Sequence, residues 1–122
     1  MPKKILIIDD DPIVVKYLKN IFHDNGYETI EASSGIEGSK MVKENMPNLI
    51  TLDLQMPEEW GPRFYRKLIK NKKLKDIPVI VISGLPSAKY SIPKAVGHLN
   101  KPFNPDELMK IVLASIGKSD TD

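Results

Sequence analysis

Three largely apolar segments of the sequence, and a fourth segment that is a weaker strand candidate, are each followed directly by side chains that could do chemistry. Asp9 and Asp10 follow the first segment, Asp53 the second, Ser83 the third and Lys101 the fourth. Carboxylates held together repel each other and need a cation, and hard oxygen ligands suit Mg²⁺ with several of its waters retained. A carboxylate beside such an ion could attack an electrophilic phosphorus and form an acyl phosphate. This set of residues therefore predicts a phosphoryl-transfer site, provided that the fold brings them together.

The lysine and the serine would serve the phosphoryl group after it arrives. Lys101 would place a positive charge near its oxygens, and the Ser83 hydroxyl could donate a hydrogen bond to one of them. Each residue alone has an ordinary explanation: the acids at 9–11 as a helix cap with solvated charges, Asp53 as a loop acid, Ser83 as a turn residue, Lys101 as a surface charge. Their joint placement after predicted strands favours a site.

Short β-branched runs predict the strands that position these residues. Residues 5–8 and 79–82 are continuously apolar, as in strands buried on both faces of a parallel sheet, and residues 49–52, which include one threonine, are interpreted in the same way. Residues 27–32 and 96–100 are weaker strand candidates. Five strands are therefore expected.

Helix signals lie between these strands. Asp11 and Pro12 form an N-cap and first helical position, and Gly26 supplies the residue after the C-cap. Ser34 and Glu37 form a capping box that opens a second helix, which runs to about residue 45.

Two further helices complete the pattern. One is predicted over about 62–72, and the last opens at Asn104 and closes at Gly117. Alternating strands and helices predict an open parallel sheet with helices on both faces, because crossovers are right-handed. Ligands of such sheets bind at the carboxyl ends of the strands, which is where the candidate residues lie.

Bulk composition limits the classes of protein. The 122 residues suit one domain, expected over 1–117 with a polar tail at 118–122. The absence of cysteine excludes disulfides and thiolate metal sites. No apolar run is long enough to span a bilayer or serve as a secretory signal, so a stand-alone cytoplasmic protein without membrane partners is expected.

The predicted third helix and its exit are strongly basic. The basic residues there are Arg63, Arg66, Lys67, Lys70, Lys72, Lys73 and Lys75. Phe64, Leu68 and Ile69 give the helix an apolar face, so the charges are interpreted as its solvated face. With a net charge of only +2, nucleic acid is not expected as a partner.

The residues quoted so far form a pattern that resembles the receiver domains of bacterial response regulators. Its marks are Asp9-Asp10, the run 53–57 (Asp-Leu-Gln-Met-Pro) with Gly61 after it, Ser83, and the run 101–103 (Lys-Pro-Phe). The resemblance covers essentially the whole chain. It implies a flavodoxin-like, doubly wound, five-stranded parallel sheet with strand order 2-1-3-4-5.

The resemblance also implies a role for each site residue. Asp53 would be the phosphoacceptor, and Asp10, Asp53 and the main-chain carbonyl of Gln55 would ligate Mg²⁺, with Asp9 acting partly through water. Lys101 would pair with Asp53 and its phosphate, and Ser83 would be the switch hydroxyl. The peptide bond between residues 101 and 102 would be cis.

The sequence departs from the family pattern between the fourth and fifth strands, at residue 98, and at residues 58–60, where Glu-Glu-Trp precedes the loop glycine. Pro86 and Pro93 bracket only six residues between the fourth and fifth strands, and proline disrupts a helix interior, so the family's helix there is expected to be shortened or replaced by a loop. His98 stands where the family has Tyr or Phe. It is either a modified, pH-sensitive switch residue or a half-exposed edge-strand residue without a coupling role.

The resemblance implies a receiver that takes a phosphoryl group from a sensor histidine kinase or a phosphotransfer protein and signals through a protein partner. It would not be an enzyme beyond catalysing its own phosphorylation and dephosphorylation. One alternative is a receiver-fold module that binds its partner regardless of phosphorylation. A more distant one is a small phosphatase or phosphotransferase, which usually needs a second acid at the position of Gln55.

Overall fold

The computed structural model describes residues 2–54, 61–84, 92 and 94–119, and every structural statement below refers to these residues. The chain alternates strands and helices as predicted. In order, the elements are β1 (Lys4–Ile8), α1 (Pro12–Asp24), β2 (Glu28–Ala32), α2 (Gly35–Asn45), β3 (Leu49–Leu52), α3 (Gly61–Lys70), β4 (Val79–Ser83), β5 (Gly97–Asn100) and α4 (Pro105–Ile116). The helix predicted to be shortened, between β4 and β5, lies mostly outside the described residues.

The five strands form one parallel sheet in the order β2-β1-β3-β4-β5. This confirms the flavodoxin-like topology. Within the described part of the chain, each helix is too short or too polar to cross a bilayer.

The sheet is buried on both faces by two separate apolar clusters. On one face, Leu6, Ile50 and Val81 pack with Phe64 of α3. On the other, residues of β1, β3 and β4 pack with α1 and α4, where Phe22 is fully buried. Continuous apolar runs are required because successive strand residues point to opposite faces, and here both faces are core.

Local capping explains where the first helices begin and end. The Asp11 carboxylate accepts a hydrogen bond from the Ile13 amide at 2.9 Å, and the Ser34 hydroxyl accepts one from the Glu37 amide at 3.1 Å. The Glu37 carboxylate accepts from the amide of Ser33 at 2.7 Å, one residue before the cap. Gly26 has a φ of 85°, as expected for the residue after a C-cap.

The third helix is shorter than predicted. It ends at Lys70 rather than residue 72, because Asn71 begins a turn. The Asn71 side-chain oxygen accepts a hydrogen bond from the Lys73 amide at 2.9 Å, and its carbonyl accepts one from the Leu74 amide at 3.0 Å. A short amide side chain that bonds nearby backbone competes with helix continuation.

Thr51 provides a test of packing in the sheet. It is 1% exposed, and its hydroxyl has no hydrogen-bond partner among the described residues. Thr51→Val keeps the shape and removes a buried, unsatisfied polar group. We therefore expect it to raise the free energy of unfolding by about 1 kcal/mol in urea titrations. Thr51→Ser keeps the hydroxyl and loses a methyl, so it should destabilise; a destabilised Thr51→Val would contradict the expectation.

Candidate functional site

The carboxyl edge of the sheet brings the predicted acids together. Asp9 follows β1 and Asp53 follows β3, and carboxylate oxygens of Asp9, Asp10 and Asp53 lie within 4.8 Å of one another. Asp9 is 3% exposed and Asp53 is 5% exposed, whereas Asp10 is exposed. The cluster therefore consists of two buried carboxylates and one that faces solvent.

Backbone hydrogen bonds at the strand ends hold these acids in place. The amide of Asp53 donates to the carbonyl of Ile8 at 2.9 Å, which ties the end of β3 to β1. The amide of Asp9 donates to the carbonyl of Ala32 at 3.1 Å. One Asp9 carboxylate oxygen accepts a hydrogen bond from the Asp11 amide at 2.9 Å, which fixes the orientation of that carboxylate.

Lys101 reaches into the acid cluster from the end of β5. Its Nζ lies 2.8 Å from Oδ2 of Asp9 and 3.7 Å from Oδ1 of Asp53. Its amide donates to the carbonyl of Ser83 at 3.0 Å, and the peptide bond to Pro102 is cis, as predicted. The ammonium thus lies between the two buried carboxylates.

The neighbouring acids stabilise the charged form of Lys101. Burial by itself lowers the pKa of Lys101, but the hydrogen bond to Asp9 and the charges of Asp9, Asp53 and Asp11 outweigh it, so the pKa lies above the ordinary 10.5. The fold therefore favours the ionised ammonium. That contribution is complete below pH 10.5 and is lost only as the pH rises through the raised pKa.

Ser83 and His98 lie on the neighbouring strands β4 and β5. Ser83 is the last residue of β4, is fully buried, and pairs with Asn100. His98 lies on the edge strand β5 and pairs with Val81 of β4. It is partly buried, and its Nε2 lies 2.9 Å from the carbonyl oxygen of Ile92. Gln55, the predicted source of a ligating carbonyl, lies outside the described residues.

Two features of the site were not predicted from the sequence. The resemblance implied that Lys101 pairs with Asp53, but its shorter contact is with Asp9. The charge of Asp11, which was predicted only as a helix cap, also raises the pKa of Lys101. The run of three acids at 9–11 was the available signal, since consecutive acids at a strand end concentrate negative potential there.

The donor set fits a hard divalent cation. Three carboxylates that converge, two of them buried, supply the oxygen ligands that Mg²⁺ prefers, and the exposed Asp10 leaves one side open to water. Beside this cluster lies a cavity of about 540 Å³ between α1 and the start of α2, whose wall includes Asp9, Asp10 and Ser33. Asp9 and Asp10 therefore line an open cavity next to Asp53.

Gly61 lies close to the backbone of Asp53 and Leu54 and leaves no room for a larger side chain. A Cβ added at Gly61 would lie 2.6 Å from the Leu54 Cα and 2.9 Å from the Asp53 carbonyl oxygen, so the backbone would have to move. We expect Gly61→Ala to lower the free energy of unfolding by about 1–3 kcal/mol in denaturant titrations. At Gly84 an added Cβ meets no described atom within 4 Å, so Gly84→Ala should have a much smaller effect. Equal losses in the two variants would contradict this explanation.

A flavodoxin-like sheet with acids after β1 and β3 and a lysine after β5 defines the receiver class. The family model for the response regulator receiver domain matches residues 5–113, and the chain belongs to this family. Receiver domains are signalling modules of two-component systems.

Individual relatives agree with this membership. The chain is 34% identical over 125 residues to Protein Rrf1 of Nitratidesulfovibrio vulgaris, covering 100% of this chain and 91% of the relative. The receiver domain of a signal transduction histidine kinase from Syntrophus aciditrophicus has a TM-score of 0.85 and 30% identity, covering 93% and 89% of the two chains. The receiver domain of sensor histidine kinase PA1611 from Pseudomonas aeruginosa, with magnesium coordinated in its active-site cleft, has a TM-score of 0.87 at 20% identity, covering 97% and 100%.

Proposed function

We propose that this receiver accepts a phosphoryl group on Asp53 from a phosphohistidine of a sensor histidine kinase or a histidine phosphotransfer protein. The observation that carries the proposal is the surroundings of Asp53. Its carboxylate lies within 4.8 Å of those of Asp9 and Asp10 and 3.7 Å from the Lys101 ammonium. Phosphoryl transfer depends mainly on such positioning and charge neutralisation.

The transfer can be written with the groups at hand. A carboxylate oxygen of Asp53 forms a bond to phosphorus while the bond between phosphorus and the histidine nitrogen breaks. The departing ring nitrogen keeps the electron pair and takes a proton from solvent. Lys101, a cation at neutral pH whose charged form the neighbouring acids stabilise further, neutralises charge on the transferred oxygens.

Magnesium would be held by Asp10, Asp53 and the carbonyl of Gln55, with Asp9 acting partly through water. When bound, it would neutralise the negative charge that the phosphoryl group brings to the carboxylates. The PA1611 receiver, which has the same fold, holds magnesium in its active-site cleft, and this supports the proposal of a magnesium site here.

Ser83 would act after transfer. Its hydroxyl would donate to a phosphoryl oxygen, and this engagement would bias the nearby surface towards a downstream protein partner. We place the exchange in the cytoplasm, in a domain spanning 1–117 with a short polar tail.

A second function is favoured by the hydrogen bond of His98. The contact with the Ile92 carbonyl gives the histidine a fixed partner in the connection to β5, which suits a module that binds its partner constitutively. Partner affinity would be compared with and without beryllofluoride, a phosphate mimic. Equal affinities would favour the constitutive module, and a changed affinity would favour the switch.

The input chemistry is tested by intact-mass analysis. Incubation with acetyl phosphate and Mg²⁺ should give a single phosphoryl adduct that hydroxylamine removes, as expected of an acyl phosphate. Chelation of Mg²⁺ before addition of the donor should prevent its formation. An adduct that resists hydroxylamine, or no adduct where another receiver is labelled, would overturn the proposal.

A further inference from the structure

Helix α3 and the turn that follows it carry a concentrated positive charge. The chain has 18 basic and 16 acidic residues, and seven of the basic ones lie between 61 and 75, a stretch without any acid. The rest of the chain therefore has 11 basic residues against 16 acidic ones. All seven cations of this basic face (Arg63, Arg66, Lys67, Lys70, Lys72, Lys73 and Lys75) are exposed.

The arrangement of these charges works against the helix that bears them. Arg63 and Lys67, and Arg66 and Lys70, are four residues apart, so like charges lie next to each other on one face. Apart from Lys67, which has an interaction within the chain, none of the seven forms an ion pair with a described residue. Burial of Phe64 and Leu68 on the opposite side anchors the helix without needing these charges.

A groove extends the basic face towards α2. It has a volume of about 350 Å³, and its polar wall consists of Ser39, Lys43, Lys67, Lys70 and Asn71. No carboxylate of the described chain lines it. The positive potential thus spans two helices, and small hydrogen-bond donors lie among the lysines.

The composition of the surface indicates which anion it would bind. In α3 and the turn at 71–76, the exposed apolar side chain among the described residues is Ile69, at 38%. A protein partner or a lipid surface would be expected to bury more apolar area at its centre. Arginine, lysine and small polar donors are the groups that contact the phosphates of nucleic acids.

We propose that the basic face of α3 binds the phosphate backbone of nucleic acid without reading its sequence. From the sequence alone, these charges were interpreted as the ordinary solvated face of the helix. The reasons to revise that interpretation are the stripe of like charges, in which Arg63, Arg66 and Lys70 have no ion-pair partner among the described residues, and the lysine-lined groove beside it. This binding does not depend on phosphorylation of Asp53, so either proposal can fail without the other.

Fluorescence anisotropy with a labelled DNA duplex and a labelled single-stranded RNA tests the proposal and distinguishes the two sources of phosphate. If the three cations of the stripe other than Lys67 each neutralise one phosphate, log Kd for the duplex should rise with log salt with a slope of about 3. The variant Arg63→Gln/Arg66→Gln/Lys70→Gln should weaken binding by at least about tenfold and reduce the slope. Lys67 is left in place because of its interaction within the chain.

The matched control removes the same charge elsewhere. Lys16→Gln/Lys110→Gln/Lys118→Gln changes three exposed lysines outside the basic face and should leave Kd within about twofold of the wild type. Equal weakening by both triple variants, no binding at low salt, or tighter binding to polyglutamate or to anionic vesicles would overturn the proposal. If circular dichroism shows that the test variant is unfolded, Arg66→Gln alone is measured, with a loss of about threefold expected and no loss overturning the proposal.

Discussion

Asp53→Asn is expected to abolish the phosphoryl adduct, with the initial rate of labelling by acetyl phosphate reduced by at least about 10³-fold. A carboxamide of nearly the same shape cannot act as the nucleophile that forms an acyl phosphate. The fold should persist, because Lys101 keeps its hydrogen bond to Asp9 at 2.8 Å. Intact mass measured over time in saturating Mg²⁺ gives the rate directly.

The control for this variant is Asp76→Asn, which removes the same charge from an exposed acid outside the cluster. It should be labelled at the wild-type rate. Labelling of Asp53→Asn at a comparable rate would mean that another residue accepts the phosphoryl group, and peptide mapping would then identify it.

Lys101→Met is expected to slow labelling by about 10²- to 10³-fold while leaving Asp53 available. The methionine keeps much of the apolar stem and removes the ammonium that lies 3.7 Å from Asp53. It also leaves Asp9, 3% exposed, without its cation. Loss of one partner of a buried ion pair should lower the free energy of unfolding by about 3 kcal/mol, discounted somewhat because the Lys101 side chain is 26% exposed.

Lys110→Met, on an exposed part of α4, is the matched control and should change neither the labelling rate nor the free energy of unfolding appreciably. The labelling rate and the urea midpoint should be measured separately, because they report different roles. A variant that loses stability but labels at the wild-type rate would show that Lys101 supports the fold and not the transfer.

The alternation of strands and helices and both layers of helices could be predicted because they depend on local patterns, whereas the strand order was implied by the resemblance to receiver domains. Apolar runs such as 79–82 require burial on both faces, and capping residues such as Asp11 and Ser34 mark where helices start. These signals lie within a few residues of each other. Once the alternation is known, the handedness of the crossovers restricts the topology.

What the sequence could not predict depends on contacts between distant segments. Lys101 lies within reach of both Asp9 and Asp53, and only the positions of β1, β3 and β5 decide which oxygen is nearer. The end of α3 at Lys70 is a local exception: the Asn71 side chain accepts a hydrogen bond from the Lys73 amide, and the helical pattern that predicted an end near residue 72 did not show this. The distances from Lys101 to the two carboxylates depend on how the strands are placed in three dimensions, and residue types and spacing alone do not give these distances.

Because the Lys101 ammonium lies between Asp9 and Asp53, we expect the chain to fold without bound metal. Small metal-dependent domains often unfold when the ion is removed, because their ligands repel one another without it. Here the chain carries its own counter-ion, so the acids are partly neutralised whether or not magnesium is bound. With magnesium acting as proposed above, removal of the ion would stop phosphorylation and leave the fold intact, and adding the ion back would restore phosphorylation without a refolding step.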